Sequence, residues 1–175
     1  MAPTGVSRML EPFAEDGSLN VVIESPRGST AKWKYEAGVF RLSRPLPAGL
    51  AYPYDWGFVA GTRASDGDPL DAMVYWNGAS YPGVVVPSQA IGVLRIEQTS
   101  RESGKRERND RLLVVPVNAP ALGVTSALDL PERLRHELEH FFIAAVAFEG
   151  KDLKVLGWGN AEEATETIAA SGARR

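Results

Sequence analysis

Short apolar runs separated by Gly, Pro and Asp dominate the chain as far as Val115. Leu19-Asn20-Val21-Val22-Ile23-Glu24 is rich in β-branched residues and is stopped by Ser25-Pro26-Arg27-Gly28, which predicts a strand and a turn. Lys32-Trp33-Lys34-Tyr35-Glu36 alternates charge with aromatics, as a half-buried strand does; Ala37-Gly38 is a turn and Val39-Phe40-Arg41-Leu42 a return strand. By period two Lys32, Lys34 and Glu36 share one face, read from spacing as an ordinary wet face. Arg44-Pro45-Leu46-Pro47-Ala48-Gly49 is a rigid connector. Trp56 to Val59, Ala72 to Trp76, Val84 to Val86, Ala90 to Glu97 and Leu112 to Val115 read as further strands, with Arg101 to Arg111 a polar loop.

The pattern then changes period. Leu134, Leu138, Phe141, Phe142 and Ala145 recur at helical spacing, with Pro131 placed for a first turn. A second helix is predicted after Trp158-Gly159-Asn160, with Asn160 as its cap and Glu162 and Glu163 at its positive end. Many short strands followed by two helices indicate an α+β fold, mainly β, built on a barrel or strongly curved sheet. The length of 175 residues fits a single domain over 1–175.

Composition narrows the classes. With no cysteine, disulfides and thiolate metal sites are excluded. The net charge of -3 argues against a general nucleic-acid binder. No apolar run approaches a membrane span, and Met1 to Ser18 lacks the apolar core of a secretory leader, so a cytoplasmic location is expected. Ser171 to Arg175 reads as a frayed tail.

The chemistry concentrates in Asp66-Gly67-Asp68-Pro69-Leu70-Asp71, three carboxylates on a turn between two apolar strands. Mutually repelling carboxylates at such a turn suit a hard cation, since Mg²⁺ and Mn²⁺ take oxygen ligands, Mg²⁺ with several of its waters retained. A solvated acidic turn is the plain alternative.

Asp-Gly-Asp-Pro-Leu-Asp before an apolar strand resembles the signature of the soluble, Mg²⁺-dependent inorganic pyrophosphatases of the first family. The resemblance runs through most of the chain in order: Val21 to Pro26 with Glu24, Lys34-Tyr35-Glu36, Arg44 eight residues before Tyr52-Pro53, Gly92-Val93-Leu94, and Gly157 to Ala161. It implies an OB-like five-stranded β-barrel with C-terminal helices packed outside, and a homo-oligomer, often a hexamer. It implies that Asp66 and Asp71 hold Mg²⁺ (or Mn²⁺), with Glu24 and Glu36 facing the metals. By the same likeness Asp68 takes the proton of the attacking water, Tyr52 donates a hydrogen bond, and Lys34, Arg44 and Arg111 hold the phosphates of pyrophosphate.

The chain departs from the family pattern at Gln98 and Asn109, where aspartates are expected, at Arg111 for a lysine, and at Asp55 and Trp56 for Asn and Tyr. Ala145 and Val146 stand in place of a Tyr-Lys pair. Two lost carboxylates weaken metal binding at that end, while Arg111 keeps the charge and adds a fork suited to phosphate oxygens. Lys105, Arg106 or Arg108 are candidates to refill the lost cation, and Glu97 or Asp110 the lost ligand. Other readings are a hydrolase of another phosphoanhydride and an inactive homologue. His136-Glu137-Leu138-Glu139-His140 spells a zinc-protease motif, with Glu162 or Glu163 as an imagined third ligand, and chance spacing on a charged helix as the plain alternative. An oligonucleotide surface would use Trp33, Tyr35, Tyr54 and Trp56, against the repulsion of the aspartates.

Overall fold

The structure, a computed structural model, describes residues 10–119 and 123–172. Nine strands are described: β1 Leu19–Ser25, β2 Ala31–Glu36, β3 Val39–Pro45, β4 Asp55–Val59, β5 Asp71–Val74, β6 Val85–Thr99, β7 Arg106–Arg108, β8 Arg111–Pro116 and β9 Lys154–Gly159. The helices are α1, Glu132–Ala145, and α2, Ala161–Ala170, with a 3₁₀ turn at Ala127–Asp129. Among the described residues no helix is long and apolar enough to cross a membrane.

Five strands close on themselves. β1 pairs β4, β4 pairs β5, β5 pairs β8, β8 pairs β6, and β6 returns to β1, with only the β5–β8 contact parallel. Closure leaves this ring without a free edge. β6 makes it possible: the runs predicted as two strands, Val84 to Val86 and Ala90 to Glu97, are one 15-residue strand, bent by a bulge between Ala90 and Gly92. The bend lets one strand serve two neighbours at one end and β7 and β9 at the other. β7 lies inside the stretch read as a polar loop, and β9 was not legible as a strand. Both lack the apolar run that marks a strand, since they pair along β6 with charged or half-exposed side chains.

Period-two alternation sorts the side chains. Val21, Ile23, Val59, Ala72, Val74, Val93, Leu112 and Val114 come from all five ring strands and form one buried cluster, plugged by Ala164 and Ile168 of α2. The intervening residues face outwards. Trp56, Met73, Leu94 and Leu113 meet Leu138, Phe141 and Phe142 of α1, while Val22 and Phe58 are covered by Tyr35 and Phe40 of the β2–β3 hairpin. Each ring wall is therefore apolar on both sides where α1 and the hairpin cover it, and the cleft between these covers is where the outward face stays polar.

The termini of both helices follow from local chemistry. Asn160 caps α2 by accepting from the Glu163 N–H at 3.0 Å, as expected. Pro131 is the cap position of α1 rather than its first turn. Ser171, read as the start of a frayed tail, is buried and accepts the Arg63 N–H at its carbonyl, 3.1 Å; residues 173–175 of that tail, and 1–9 of the N-terminal stretch, lie outside the described residues. Asp55 is fully buried and satisfied: its Oδ1 accepts the Arg27 and Ser80 N–H groups and its Oδ2 the Trp76 indole N–H at 2.9 Å. This carboxylate ties two loops to β4 and does not line the cavity described below.

The tightest backbone approach in the ring is at Gly57, where an added Cβ would sit 1.8 Å from the Val22 carbonyl oxygen of β1. Gly57→Ala is therefore expected to force β1 and β4 apart and to cost on the order of 3 kcal/mol. Urea unfolding of the variant beside the parent measures it; equal midpoints would place the Gly57 wall elsewhere.

Candidate active site

The cleft between ring, hairpin and α1 is a cavity of about 610 Å³. Strand register explains who enters it. Ala72 and Leu112 pair across the parallel strands β5 and β8 and point to the barrel interior, so the preceding residues, Asp71 and Arg111, both point outwards at neighbouring strand ends. Glu24 follows the same alternation on β1, outward after inward Ile23. The turn before β5 brings in Asp66 and Asp68, the hairpin brings Lys34 and Arg44, and the segment before β4 brings Tyr52.

Eight of the nine residues singled out from sequence thus line one cavity: Glu24, Lys34, Arg44, Tyr52, Asp66, Asp68, Asp71 and Arg111. Glu36 does not. It sits exposed at the hairpin end, opposite Val39, and reaches the cavity only through its field on Lys34.

The environments differ sharply. The Glu24 carboxyl is pushed up to about 7, mainly by burial and further by Asp71, against the Tyr35 N–H that it accepts at 2.6 Å. Asp71 is also raised by burial, opposed by Arg111 and Lys32. Asp66 is raised by burial, while its Oδ1 accepts the Asp68 N–H at 3.1 Å. Asp68 is the open carboxylate, its side chain 61% exposed and 3.3 Å from the Lys34 ammonium. The Tyr52 phenol is pushed up to about 12 by burial, so it keeps its proton and remains a donor at neutral pH.

Arg111 is buried, with its guanidinium 4.5 Å from the Phe142 ring centroid and 5.1 Å from that of Trp56. Its Nε meets no partner, a donor left unpaired beside the cavity. Arg44 is held by Glu149 at 3.5 Å, and Glu149 in turn pairs with Arg101. Ala145 and Val146 form an apolar wall where a Tyr-Lys pair was expected. Asn109 lines the cavity as a neutral amide; Gln98 is buried outside it.

Three charged cavity residues were missed, Lys32, Arg63 and Lys151. Lys32, read with its face as wet, lines the cavity and is drawn down by burial. Lys151, on the loop before β9, does the same. Lys32 had a signal, two residues from Lys34 on the same face; Lys151 had none. The loop charges proposed as replacements are committed elsewhere: Arg106 to Glu97 at 2.6 Å, Arg108 to Asp110 at 2.7 Å, and Asp110 also to the Ile96 N–H at 3.0 Å. Lys105 is absent from the lining.

The rival motifs have other partners. His140 turns its Nδ1 to the His136 carbonyl at 2.8 Å, Glu137 pairs with Arg133, and Glu163 pairs with Arg95. Trp56 is 2% exposed and stacks with Tyr52, Tyr35 packs on Phe40 and Phe58, and Tyr54 packs on Tyr75, so these aromatics are packing rather than a stacking platform. No His or Cys lines the cavity, and among the described residues no three His, Cys or acidic side chains converge on one point. Such an oxygen-only, dispersed donor set fits a hard ion that takes one or two carboxylates and fills its shell with water and substrate oxygens.

This is a small closed barrel carrying a carboxylate- and cation-lined cavity on its outer wall. The family model described as inorganic pyrophosphatase matches residues 21–174. An inorganic pyrophosphatase of Thermus thermophilus is 37% identical over 161 residues, 89% of this chain and 89% of the relative. One of Sulfolobus acidocaldarius is 36% identical over 156 residues, 86% of this chain and 87% of the relative. The crystal structure of the Thermus thermophilus protein superposes with a TM-score of 0.83 at 34% identity, covering 93% of this chain and 94% of the other. One from Neisseria gonorrhoeae gives 0.83 at 30% identity, covering 94% and 95%. The chain belongs to the inorganic pyrophosphatase family, with the OB-like barrel that its sequence implied.

Glu24 sets a testable pH dependence. Its carboxyl in the folded protein holds a proton that the unfolded chain releases between its ordinary 4.5 and about 7. That contribution is complete below the lower value and is lost as pH rises through the upper one. Glu24→Gln keeps the acceptor for Tyr35 and removes the charge. In metal-free protein it should match the parent at pH 4 and exceed it at pH 8 by up to about 3 kcal/mol. Denaturant unfolding at the two pH values checks this; a constant offset would reject it.

Proposed function

We propose that this chain hydrolyses inorganic pyrophosphate to two phosphates with a divalent cation, Mg²⁺ by the chemistry of its donors. The observation that carries the reading is the buried Arg111 guanidinium, with an unpaired Nε, beside Asp71 in a cavity whose anionic donors are all carboxylates. Burying a cation with a free donor is costly unless an anion completes it. Arg44 and Lys34 face the same cavity, which gives a bidentate-capable fork at each of two points and an ammonium beside Asp68.

Asp66 and Asp71 would hold the cation, with Glu24 orienting its waters. When bound, it supplies charge neutralisation for the phosphoryl group and a lowered pKa for water. The chain's own residues do the rest. Asp68, exposed on the turn, accepts the proton of the attacking water. The water oxygen bonds to one phosphorus, the bridging P–O bond breaks, and the second phosphate leaves. Arg111, Arg44 and Lys34 hold the phosphate oxygens as the bridging oxygen gains charge, and the Tyr52 phenol donates to one of them. Phe141, Phe142, Ala145 and Val146 close the apolar side and limit water. Glu36, placed outside the lining, acts through Lys34 alone. A cytoplasmic homo-oligomer belongs to the same reading.

Phosphate release from pyrophosphate should require Mg²⁺ or Mn²⁺ and stop with chelator, with ATP and polyphosphate as slower substrates. Asp68→Asn should lower kcat by roughly 100-fold or more with the fold intact by circular dichroism. A variant turning over at the parent rate would remove Asp68 from the proton transfer. A parent silent on pyrophosphate but active on another anhydride would move the substrate assignment.

A further inference from the structure

The acidic turn hangs between β4 and β5, and the ladder it hangs from is irregular at one point. The last residues paired between these strands are Phe58 and Asp71, so Val59 and Leu70 face each other next, both buried in the barrel-interior cluster. A hydrogen-bonded antiparallel pair exchanges two backbone bonds. Here one is direct, from the Val59 N–H to the Leu70 carbonyl at 2.9 Å. The return bond is relayed by a side chain: the Leu70 N–H donates to Thr62 Oγ1 at 3.0 Å, and the Thr62 hydroxyl donates to the Val59 carbonyl at 2.7 Å. A single hydroxyl is wedged into the ladder where the turn leaves it.

Thr62 is buried and lines the cavity. Beyond it the turn is bonded to itself. The Ala64 N–H donates to the Asp68 carbonyl at 2.7 Å, the Gly67 N–H to the Ala64 carbonyl at 3.0 Å, and the Asp68 N–H to Asp66 Oδ1 at 3.1 Å. Ala64 to Asp68 is therefore one piece, and its orientation is set by its ties to the rest of the chain. Ser65 Oγ donates to the Arg108 carbonyl, but that bond is exposed and open to competition from water, whereas the two Thr62 bonds are buried. Without the hydroxyl, a buried carbonyl and a buried N–H lose their partners. The nearest remedy is the missing direct bond, which zips β4 and β5 one residue further. Zipping draws Leu70 towards β4 and swings the piece that carries Asp66 and Asp68 relative to Asp71. At a site that works by fixed distances, a displacement of about 1 Å is enough to cost about 100-fold.

We propose that Thr62 is a positioning residue for the metal end of the cavity: its hydroxyl holds the β4–β5 ladder open by one bond and so sets Asp66 and Asp68 against Asp71. It touches neither the substrate nor the reacting atoms. The proposal rests on the reading that these aspartates hold the divalent cation and take the proton, and it adds a requirement, that their spacing is fixed before the metal arrives.

The test sets Thr62→Val, which keeps the shape and removes the hydroxyl, beside Thr62→Ser, which keeps the hydroxyl. Mn²⁺ binding to the substrate-free protein is followed through the free-ion electron paramagnetic resonance signal. Thr62→Val should weaken binding roughly ten-fold or more, and Thr62→Ser should stay within about three-fold of the parent. In phosphate release, Thr62→Val should need more Mg²⁺, and its kcat should fall even at saturating Mg²⁺. The KM for pyrophosphate, held by side chains outside the turn, should change by less than about three-fold. A merely structural hydroxyl would lower the urea midpoint of Thr62→Val and leave Mn²⁺ affinity at the parent value; that result overturns the proposal, as does weak binding by Thr62→Ser. Should Thr62→Val not fold, hydrogen exchange of the parent decides. The Leu70 amide should be protected in the metal-free protein, and exchange at the rate of an exposed loop amide would overturn the proposal. Weakened Mn²⁺ binding by Thr62→Val, with a parent that never releases phosphate, keeps the positioning role and rejects the hydrolase; release by the parent with equal Mn²⁺ binding by Thr62→Val does the reverse.

Discussion

The structure depends on placing opposite charges on the outer face of a closed barrel without leaving them alone. Asp71 and Arg111 begin two parallel strands whose next residues, Ala72 and Leu112, are fixed by packing to face inwards. The pleat then gives neither charged side chain a choice of direction. Each is enclosed by protein, each is shifted towards its neutral form by burial, and each is the other's foremost opposing charge. A one-residue slip of β8 against β5 would turn Arg111 into the apolar interior and away from Asp71, which β4 holds outward, so barrel register and active-site electrostatics are one constraint. The rest of the cavity is arranged around this pair: aromatic rings beneath the guanidinium, Glu24 beside the aspartate, and the hairpin's cations above.

Why the acids remain tolerable follows from the same arrangement. An isolated carboxylate in such surroundings would simply take up a proton. Glu24 goes partway, to about 7, because one backbone N–H and two lysines offset part of the burial. Asp68 stands on the exposed rim, 3.3 Å from the Lys34 ammonium. Depth separates these acids: Glu24 and Asp71 lie deep in the cleft, while Asp66 and Asp68 stand exposed on the turn.

The ring strands were legible because they carry short apolar runs bounded by turn residues, and the acidic turn because its three aspartates are close in sequence. What escaped was whatever depends on partners distant in sequence. β7 and β9 exist only by pairing along an overlong β6, and nothing in Arg106-Glu107-Arg108 or Lys154 to Gly159 distinguishes strand from loop without that neighbour. β6 itself was split because Pro87 and the bulge at Ala90 to Gly92 look like punctuation. Glu36 shares its face with Lys32 and Lys34, yet the cleft ends before it, and the reach of a cleft along a strand is not written in alternation.

The departures from the family pattern take on a different sense once the side chains are placed. Gln98 lies outside the cavity, so its missing charge has little bearing on the chemistry, whereas Asn109 lines it as a neutral amide. The apolar pair Ala145 and Val146 removes donors from the α1 side. On the opposite side Lys32 comes off the hairpin next to Arg44, and Lys151 off the loop before β9. The loop arginines that sequence offered as substitutes could not serve, because each is tied to a carboxylate of its own or to the end of β6. In a confined volume, charge supplied by tethered side chains is oriented before the substrate arrives and needs no recruitment from solution, which is the condition under which electrostatic stabilisation of a phosphoryl group is strongest.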